Sequence, residues 1–589
     1  MKNNVYPELM VDPTRTESVL TTSGAVLLTK TVQVCGLGAA LTAAMAPWRT
    51  TATVHDPAKI VLDLALTLAT GGDCVADVAT VRAQPQLYGQ VASDPTISRV
   101  ISRLATDVEA VSTAISAARA AARERVWGIA RPLEGTAGSI DGGLVIVDLD
   151  ATTVTAGSAK EQAQKTYKRV FGHSPMCSFV DHGAFGTGET LNLDLRRGGA
   201  SPKGADMHIA ALEAALAQLP AAERAQVLIR TDSAGCAKKF LAHLTEQRLQ
   251  YSVGFTISEL VKDALDVLPE AAWVTAINTD DADPRADAQV AEITDHMPRS
   301  VRDTETAYEP WPPGMRLIAR REYPHNGAQH LITDIEGRRY TVFATNTRGR
   351  GWTLPILELR HRQRARAEDR IRCLKDTGMA NLPFDSFAKN QLWLDIVALA
   401  SDLLAWTQTL GYTRHDPIRR WEPKRLRHRL FTVGGKVITH ARTTTLRWHD
   451  IAVGDEVTPL EIPITTTMIV AGAIATRDFM PVHHDRDYAK QQGSPNLFIN
   501  ILTTNGYCVR FLTDWAGPAA RLRSVRLRLV DRYLLGPSET GGRVQDDRRD
   551  VCREDGEDPE HDTNLHMGPS DELARRMSEP DERARTSAV

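Results

Sequence analysis

Apolar positions recur along this chain first at helical spacing and then at strand spacing. Residues 1 to about 125 read as helices. DPAKIVLDLALTLATGG (56–72) opens with Asp56 as a cap and Pro57 at the first helical position, and stops at Gly71-Gly72. SDPTISRVISRL (93–104) predicts a short amphipathic helix. The apolar run Thr31–Trp48 is broken by Gly36 and Gly38, which predicts a core helix or helix pair and not a membrane span. From about 135 the pattern shifts. GLVIVDLDATTV (143–154) predicts a strand with Asp148 and Asp150 on one face. AQVLIRTDSAG (225–235) predicts a second strand that ends in Asp232 and a turn.

Residues 250–350 predict a β-rich inserted block: YSVGFTI, AAWVTAI, GMRLIARREY, QHLITDI and RRYTVFATN. Leu359–Lys375 then predicts one helix, and residues 381–412 a long apolar helix that packs on the core. At helical period His361, Arg364, Glu368 and Lys375 share a face of the first of these. Taken alone, that face is an ordinary solvated one, with Glu368 paired to Arg364 and Arg372. Two upstream aspartates at strand ends change its weight. An acid at the end of a buried strand is costly unless it is paired or binds a cation.

Composition narrows the class. The chain has 589 residues, enough for several domains, and 42% hydrophobic positions fit a soluble globular protein. Net charge is −3, so a nucleic-acid surface must be a local patch. IRRWEPKRLRHRLF (418–431) supplies one: Arg419, Arg420, Lys424, Arg425, Arg427 and Arg429 interleaved with Trp421 and Phe431. The seven cysteines form no CxxC pair, which argues against a zinc ribbon or a disulfide framework and for a reducing, cytoplasmic setting. MKNNVYPELM has no signal-peptide pattern.

The acids in DLDATT and IRTDSAG, the β-rich insertion and His361-x2-Arg364-x3-Glu368-x6-Lys375 together resemble the DDE transposases of bacterial insertion sequences, the thirteen-eighty family in particular. That family's signature has Tyr where this chain has His361. The resemblance spans about 20–448 and implies an α/β, ribonuclease-H-like catalytic domain. It also implies two Mg2+ (or Mn2+) ions on Asp150, Asp232 and Glu368, with Asp148 as rival for the first position. Arg364 and Lys375 would hold flanking phosphates. The implied partners are double-stranded DNA, at element ends and target, and a second copy in a homodimer.

Beyond Trp448, TRDFMPVHHDRDYA resembles MaoC-like acyl dehydratases, which hydrate enoyl-CoA on a hot-dog fold; Asp478 and His483 match that family's motif. Met480 stands where the family has Asn. The expected division is a helical DNA-binding module (1–125), a catalytic domain (126–448) with its insertion at about 250–350, a partial hot-dog segment (449–535) and a disordered tail (536–589). The function expected is metal-dependent DNA cleavage and strand transfer. The alternatives are a C-terminal enoyl-CoA hydratase and a DNA-binding protein without cleavage.

Overall fold

The computed structural model describes residues 10–12, 22–50, 54–134, 143–279, 283–298, 311–324, 334, 337–440, 443–448, 465–494, 496–500 and 502–503. Among these, one compact unit holds 26–427 and a second holds 10–12, 22–25 and 428 onward. Of the expected partial hot-dog segment, residues 449–464 and 504–535 lie outside the described residues, as do the tail 536–589 and most of QHLITDI.

The first unit is mixed α/β around a nine-stranded sheet. In chain order its strands are β1 (Val145–Ala151), β2 (Met176–Asp181), β3 (Glu189–Asp194), β4 (Val227–Thr231), β5 (Gln250–Phe255), β6 (Val274–Ile277), β7 (Pro284–Glu292), β8 (Arg316–Glu322) and β9 (Arg339–Thr345). Across the sheet they run β6-β7-β8-β9-β5-β4-β1-β2-β3. β1, β4 and β5 are parallel neighbours, and every other pairing is antiparallel. The strands of the 250–350 block therefore extend the central sheet through the β9–β5 pairing. They do not close on themselves as a separate sheet. Central strands buried on both faces need continuous apolar runs, and β4 (VLIRT) is buried at every position.

The helices that matter for the core are α1 (Val26–Val34), α2 (Leu37–Ala44), α3 (Pro57–Ala69), α4 (Asp94–Leu104), α5 (Val108–Glu134), α6 (Ala205–Ala217), α7 (Lys238–Glu246), α8 (Leu354–Arg362), α9 (Arg366–Leu374) and α10 (Phe387–Gly411). Asp56 caps α3 by accepting from the Ala58 amide, as its sequence predicts. α10 is apolar nearly all round, the mark of a helix enclosed by neighbours. It packs on α1, α3, α5 and β3, with Trp393 and Trp406 fully buried. The α1–α2 pair bends by 60°; no single helix among the described residues is long and apolar enough to cross a membrane.

One buried ionic cluster ties these layers. Arg123 of α5 lies 2.7 Å from Glu189 of β3 and 2.7 Å from Asp402 of α10; Arg119 reaches the same Asp402 at 2.9 Å. The Trp127 and Trp406 indoles both donate to Glu189. Burial alone would raise the Glu189 carboxyl, but His182, Arg123 and Trp127 outweigh it and hold it below the usual range. Removing one member of this cluster leaves an uncompensated buried charge.

The helix expected over Leu359–Lys375 is two helices. α8 and α9 are joined by a 3-10 turn at Gln363–Ala365, and Lys375 opens a π-turn through Met379.

In the second unit, a three-stranded sheet pairs Thr443–Trp448 with Met10–Asp12 and Gly435–His440. The Ser23 hydroxyl and amide both donate to the Val433 carbonyl. Further on, α11 (Thr466–Ala475) and α12 (Arg486–Gln491) enclose a small cluster of Ile469, Ala489, Leu497 and Ile499.

Candidate active site

β1 and β4 run parallel, with Leu149 opposite Thr231. The next residue on each strand is an acid, so Asp150 and Asp232 emerge at the same end of the sheet. Asp232 caps the following turn by accepting from the Ala234 amide at 2.9 Å. That turn lies hard against β5, where Gly254 is required: a Cβ there would sit 2.7 Å from the Ser233 nitrogen. The acid is thus held on a short, sterically fixed turn.

α8 and α9 bring the third acid. Arg364, in the 3-10 turn, places its guanidinium 3.9 Å from Asp150 and 3.7 Å from Glu368. Glu368 is largely exposed and Asp150 largely buried. Burial first, then the charges of Asp232 and Glu368, pushes the Asp150 carboxyl up to about 6, against the pull of Arg364. Asp150 therefore feels both of the other acids. They are not drawn into a closed shell: among the described residues, the acid-and-thiol group whose ligand atoms all lie within 4.8 Å is Asp73, Cys74 and Asp77. That group is a helix-start turn, where the Asp73 and Cys74 amides both donate to Asp77. At the sheet end the chemistry is different. Three carboxylates are hard oxygen donors, and Asp150, starved of solvent and repelled by the other two, gains most from a divalent cation. Their chemistry suits a hard divalent cation.

Asp148 is placed otherwise. Arg230 of β4 donates to both of its carboxylate oxygens at 2.7 Å and to Asp181 at 2.6 Å. Burial alone would lower Arg230, but Asp148 and Asp181 more than reverse that and raise it. The same guanidinium donates to the Arg360 carbonyl of α8 at 3.1 Å. Asp148 thus braces the strands and helix from which the acids project.

His361, at the signature's Tyr position, stacks flat on Phe343 with ring centroids 4.4 Å apart, and its Nδ1 meets the Ser252 hydroxyl at 2.9 Å. Burial, then the charges of Arg364 and Arg230, pushes it down to about 3. It is a neutral packing residue. Lys375 is half-buried; burial and the nearby Lys168 lower it. It also neighbours Cys177, which is paired with Asp150 across β1 and β2.

The basic run 418–431 divides in two. Arg419 is buried and donates to the Thr409 and Tyr412 carbonyls. Arg427 donates to the Leu68, Ala69 and Asp376 carbonyls. These two cations are spent on packing, contrary to the surface role expected of them. Arg420, Lys424 and Arg425 are exposed; Lys424 pairs with Asp376 at 2.8 Å and Arg425 lies over the Trp421 ring.

Sequence reading missed Tyr167. Its phenol donates to the Ala151 carbonyl at 3.1 Å, one residue from Asp150. Burial, then Asp150 and Asp232, pushes it up to about 12.

In the second unit His483 lies 3.2 Å from Asp478 through Nε2, and its Nδ1 meets the Phe498 carbonyl at 2.8 Å. The two residues singled out in the sequence are brought together.

One stretch of 63 residues is 59% identical to the 3-oxo-4,17-pregnadiene-20-carboxyl-CoA hydratase beta subunit of Mycobacterium tuberculosis (strain ATCC 25618 / H37Rv). It makes up 11% of this chain, and the chain spans about half (49%) of that relative's length. Among solved structures, a cryo-EM piggyBac transposase synaptic complex with hairpin DNA is similar at a TM-score of 0.34 and 10% identity, over 71% of this chain and 82% of that one. The family model described as Transposase DDE domain group 1 matches residues 13–458, most of the chain, and on that match this protein belongs to the DDE transposase domain family.

Proposed function

We propose that this protein cleaves DNA at the ends of an insertion sequence of the thirteen-eighty type and joins those ends to a target. Asp150, Asp232 and Glu368 would hold its divalent ions. One observation carries the reading: parallel β1 and β4 deliver Asp150 and Asp232 to one sheet end, and Arg364 links Asp150 to Glu368. A mixed sheet whose aspartate-bearing strands are parallel neighbours also favours a ribonuclease-H-like core.

Bound Mg2+ or Mn2+, as a pair, would supply activation of the attacking oxygen and stabilisation of the leaving one in an in-line displacement at phosphorus. The protein's own groups do the rest. Arg364 is in ion-pair range of both Asp150 and Glu368 and can turn to a phosphate oxygen, where guanidinium geometry favours two contacts. Asp148, Asp181 and Arg230 fix the backbone beneath the acids. Exposed Arg420, Lys424 and Arg425, with Lys375 nearer the acids, supply sequence-independent phosphate contacts to double-stranded DNA. A homodimer would let two such sites act on two element ends. The Asp478–His483 segment is, in this reading, a carried fragment of a MaoC-like hot-dog without a catalytic role of its own.

The test is cleavage of DNA bearing the element's own ends. Chelation by EDTA should abolish strand breaks and added Mg2+ or Mn2+ restore them. Cleavage in EDTA, or none in either ion, would overturn the proposal.

A further inference from the structure

Between β1 and β2 the chain builds a small separate sheet from Val154–Thr155, Gln164–Lys165 and Phe171–His173. Its tip is a tight turn. The Thr166 amide donates to the Val170 carbonyl, the Arg169 amide donates back to Thr166, both at 2.8 Å, and Arg169 takes a left-handed backbone at φ 63°. This turn puts Tyr167, Lys168, Arg169, Val170 and Phe171 all in solvent. Tyr167 is 41% exposed and Phe171 46%. Leaving large apolar side chains in water forgoes burial energy, and these serve no core.

The tip is firmly seated. Gly172 has no room for a side chain, since a Cβ would lie 2.0 Å from the Val154 carbonyl. The Glu161 amide donates to Asp385, and the Phe387 amide donates to the Glu161 carboxylate. Lys160 donates to the Leu382 and Phe384 carbonyls. The exposed side chains are therefore presented on a rigid mount.

The tip is also aimed at the carboxylates. The Tyr167 hydroxyl is bonded to Ala151, and the phenol feels Asp150 and Asp232. Lys168 sits 5.7 Å from the Tyr167 ring and shares its surroundings with Lys375. Exposed rings interleaved with Lys and Arg suit a single strand: bases stack on the rings, and phosphates pair with the cations. A paired base hides its face inside the duplex; an unpaired one offers it.

We propose that Tyr167 and Phe171, flanked by Lys168 and Arg169, form a stacking surface for an unpaired stretch of DNA strand beside Asp150 and Asp232. This inference rests on the transposase reading and adds a substrate-contact surface to that site.

The experiment measures binding of the full chain in EDTA to two labelled duplexes, one blunt and one with a single-stranded overhang of about eight nucleotides, a length within one stacking groove. Wild type should favour the overhang by about tenfold, the order expected for one stacked base. Tyr167→Ala should cut the preference to about twofold or less, while Tyr167→Phe, which keeps the ring, should retain it. Phe171→Ala gives a second arm if Tyr167→Ala loses its folded signal, and should also lower the ratio. A wild-type chain with no preference, or alanine variants that keep it, would overturn the inference. Because binding is read without metal, that failure is separate from a failure of Mg2+-dependent cleavage, which bears on the transposase reading itself.

Discussion

Asp148 and Arg230 face each other across parallel strands, with two nitrogen–oxygen distances of 2.7 Å. Both oxygens of Asp148 are committed to one guanidinium, whereas Asp150, two residues on, meets its nearest cation at 3.9 Å. The two acids share a strand face but differ in their surroundings. Arg230→Leu should therefore destabilise the fold by about 3–5 kcal/mol, because it leaves the buried Asp148 carboxylate without its partner. Asp150→Asn should raise thermal stability at neutral pH, because burial and the neighbouring acids hold its carboxyl up at about 6 and ionising it there costs the fold, while cleavage is lost. Equal melting of Arg230→Leu and wild type would contradict this division.

A pH dependence of stability follows from Asp395. Burial pushes its carboxyl up to about 7, despite the Ser112 hydroxyl, which donates to it at 2.6 Å, and the charge of Arg119. The unfolded chain holds an ordinary carboxyl, so between about pH 4 and 7 the folded state binds the extra proton. Stability contributed by this group is thus present at low pH and lost as pH rises through about 7. Asp395→Asn should raise the melting temperature at pH 8 and change it little at pH 5. An equal effect at both values would rule the assignment out.

Salt dependence separates packing cations from phosphate-binding ones. Each neutralised phosphate contributes a slope of roughly −0.9 in log K against log salt. Replacing Arg420, Lys424 and Arg425 by Gln should flatten that slope without lowering the melting temperature. Arg419→Gln should do the reverse, because its guanidinium is spent on the Thr409 and Tyr412 carbonyls. An unchanged slope in the triple variant would mean that this face does not meet DNA.

The Asp478–His483 pair invites an assay with a trans-2-enoyl-CoA. The account expects no hydration by the full chain, since Met480 replaces the motif's Asn and the chain covers about half of its hydratase relative. Hydration that disappears in Asp478→Ala would show the pair to be functional.

Much of this was legible in the sequence, and the reasons for the rest are specific. GLVIVDLD and VLIRTD announce buried strands because each is a β-branched run ending in an acid, and both lie where expected. The Asp478–His483 contact was legible from motif spacing. The break at Gln363–Ala365 was not, because HRQRARAE contains no glycine or proline to mark it. That 3-10 turn sets the azimuth of Arg364 relative to α9. The strand Pro284–Glu292 escaped notice because PRADAQVAE has one β-branched residue. Arg419 looks like its exposed neighbours in a basic run; its burial depends on carbonyls from the end of α10. Tyr167 lies in an unremarkable polar stretch, and its closeness to Asp150 exists only once β1 and the small sheet have folded.

If Asp150, Asp232 and Glu368 act together on DNA, losing one of them should stop cleavage and spare binding. The most direct measurement compares wild type with Asp232→Ala and Glu368→Gln for Mg2+-dependent cleavage and for binding of element-end DNA in the same buffer. Both variants should lose cleavage and keep binding within about twofold of wild type, since the cationic phosphate contacts are untouched. Wild-type cleavage by either variant would contradict it.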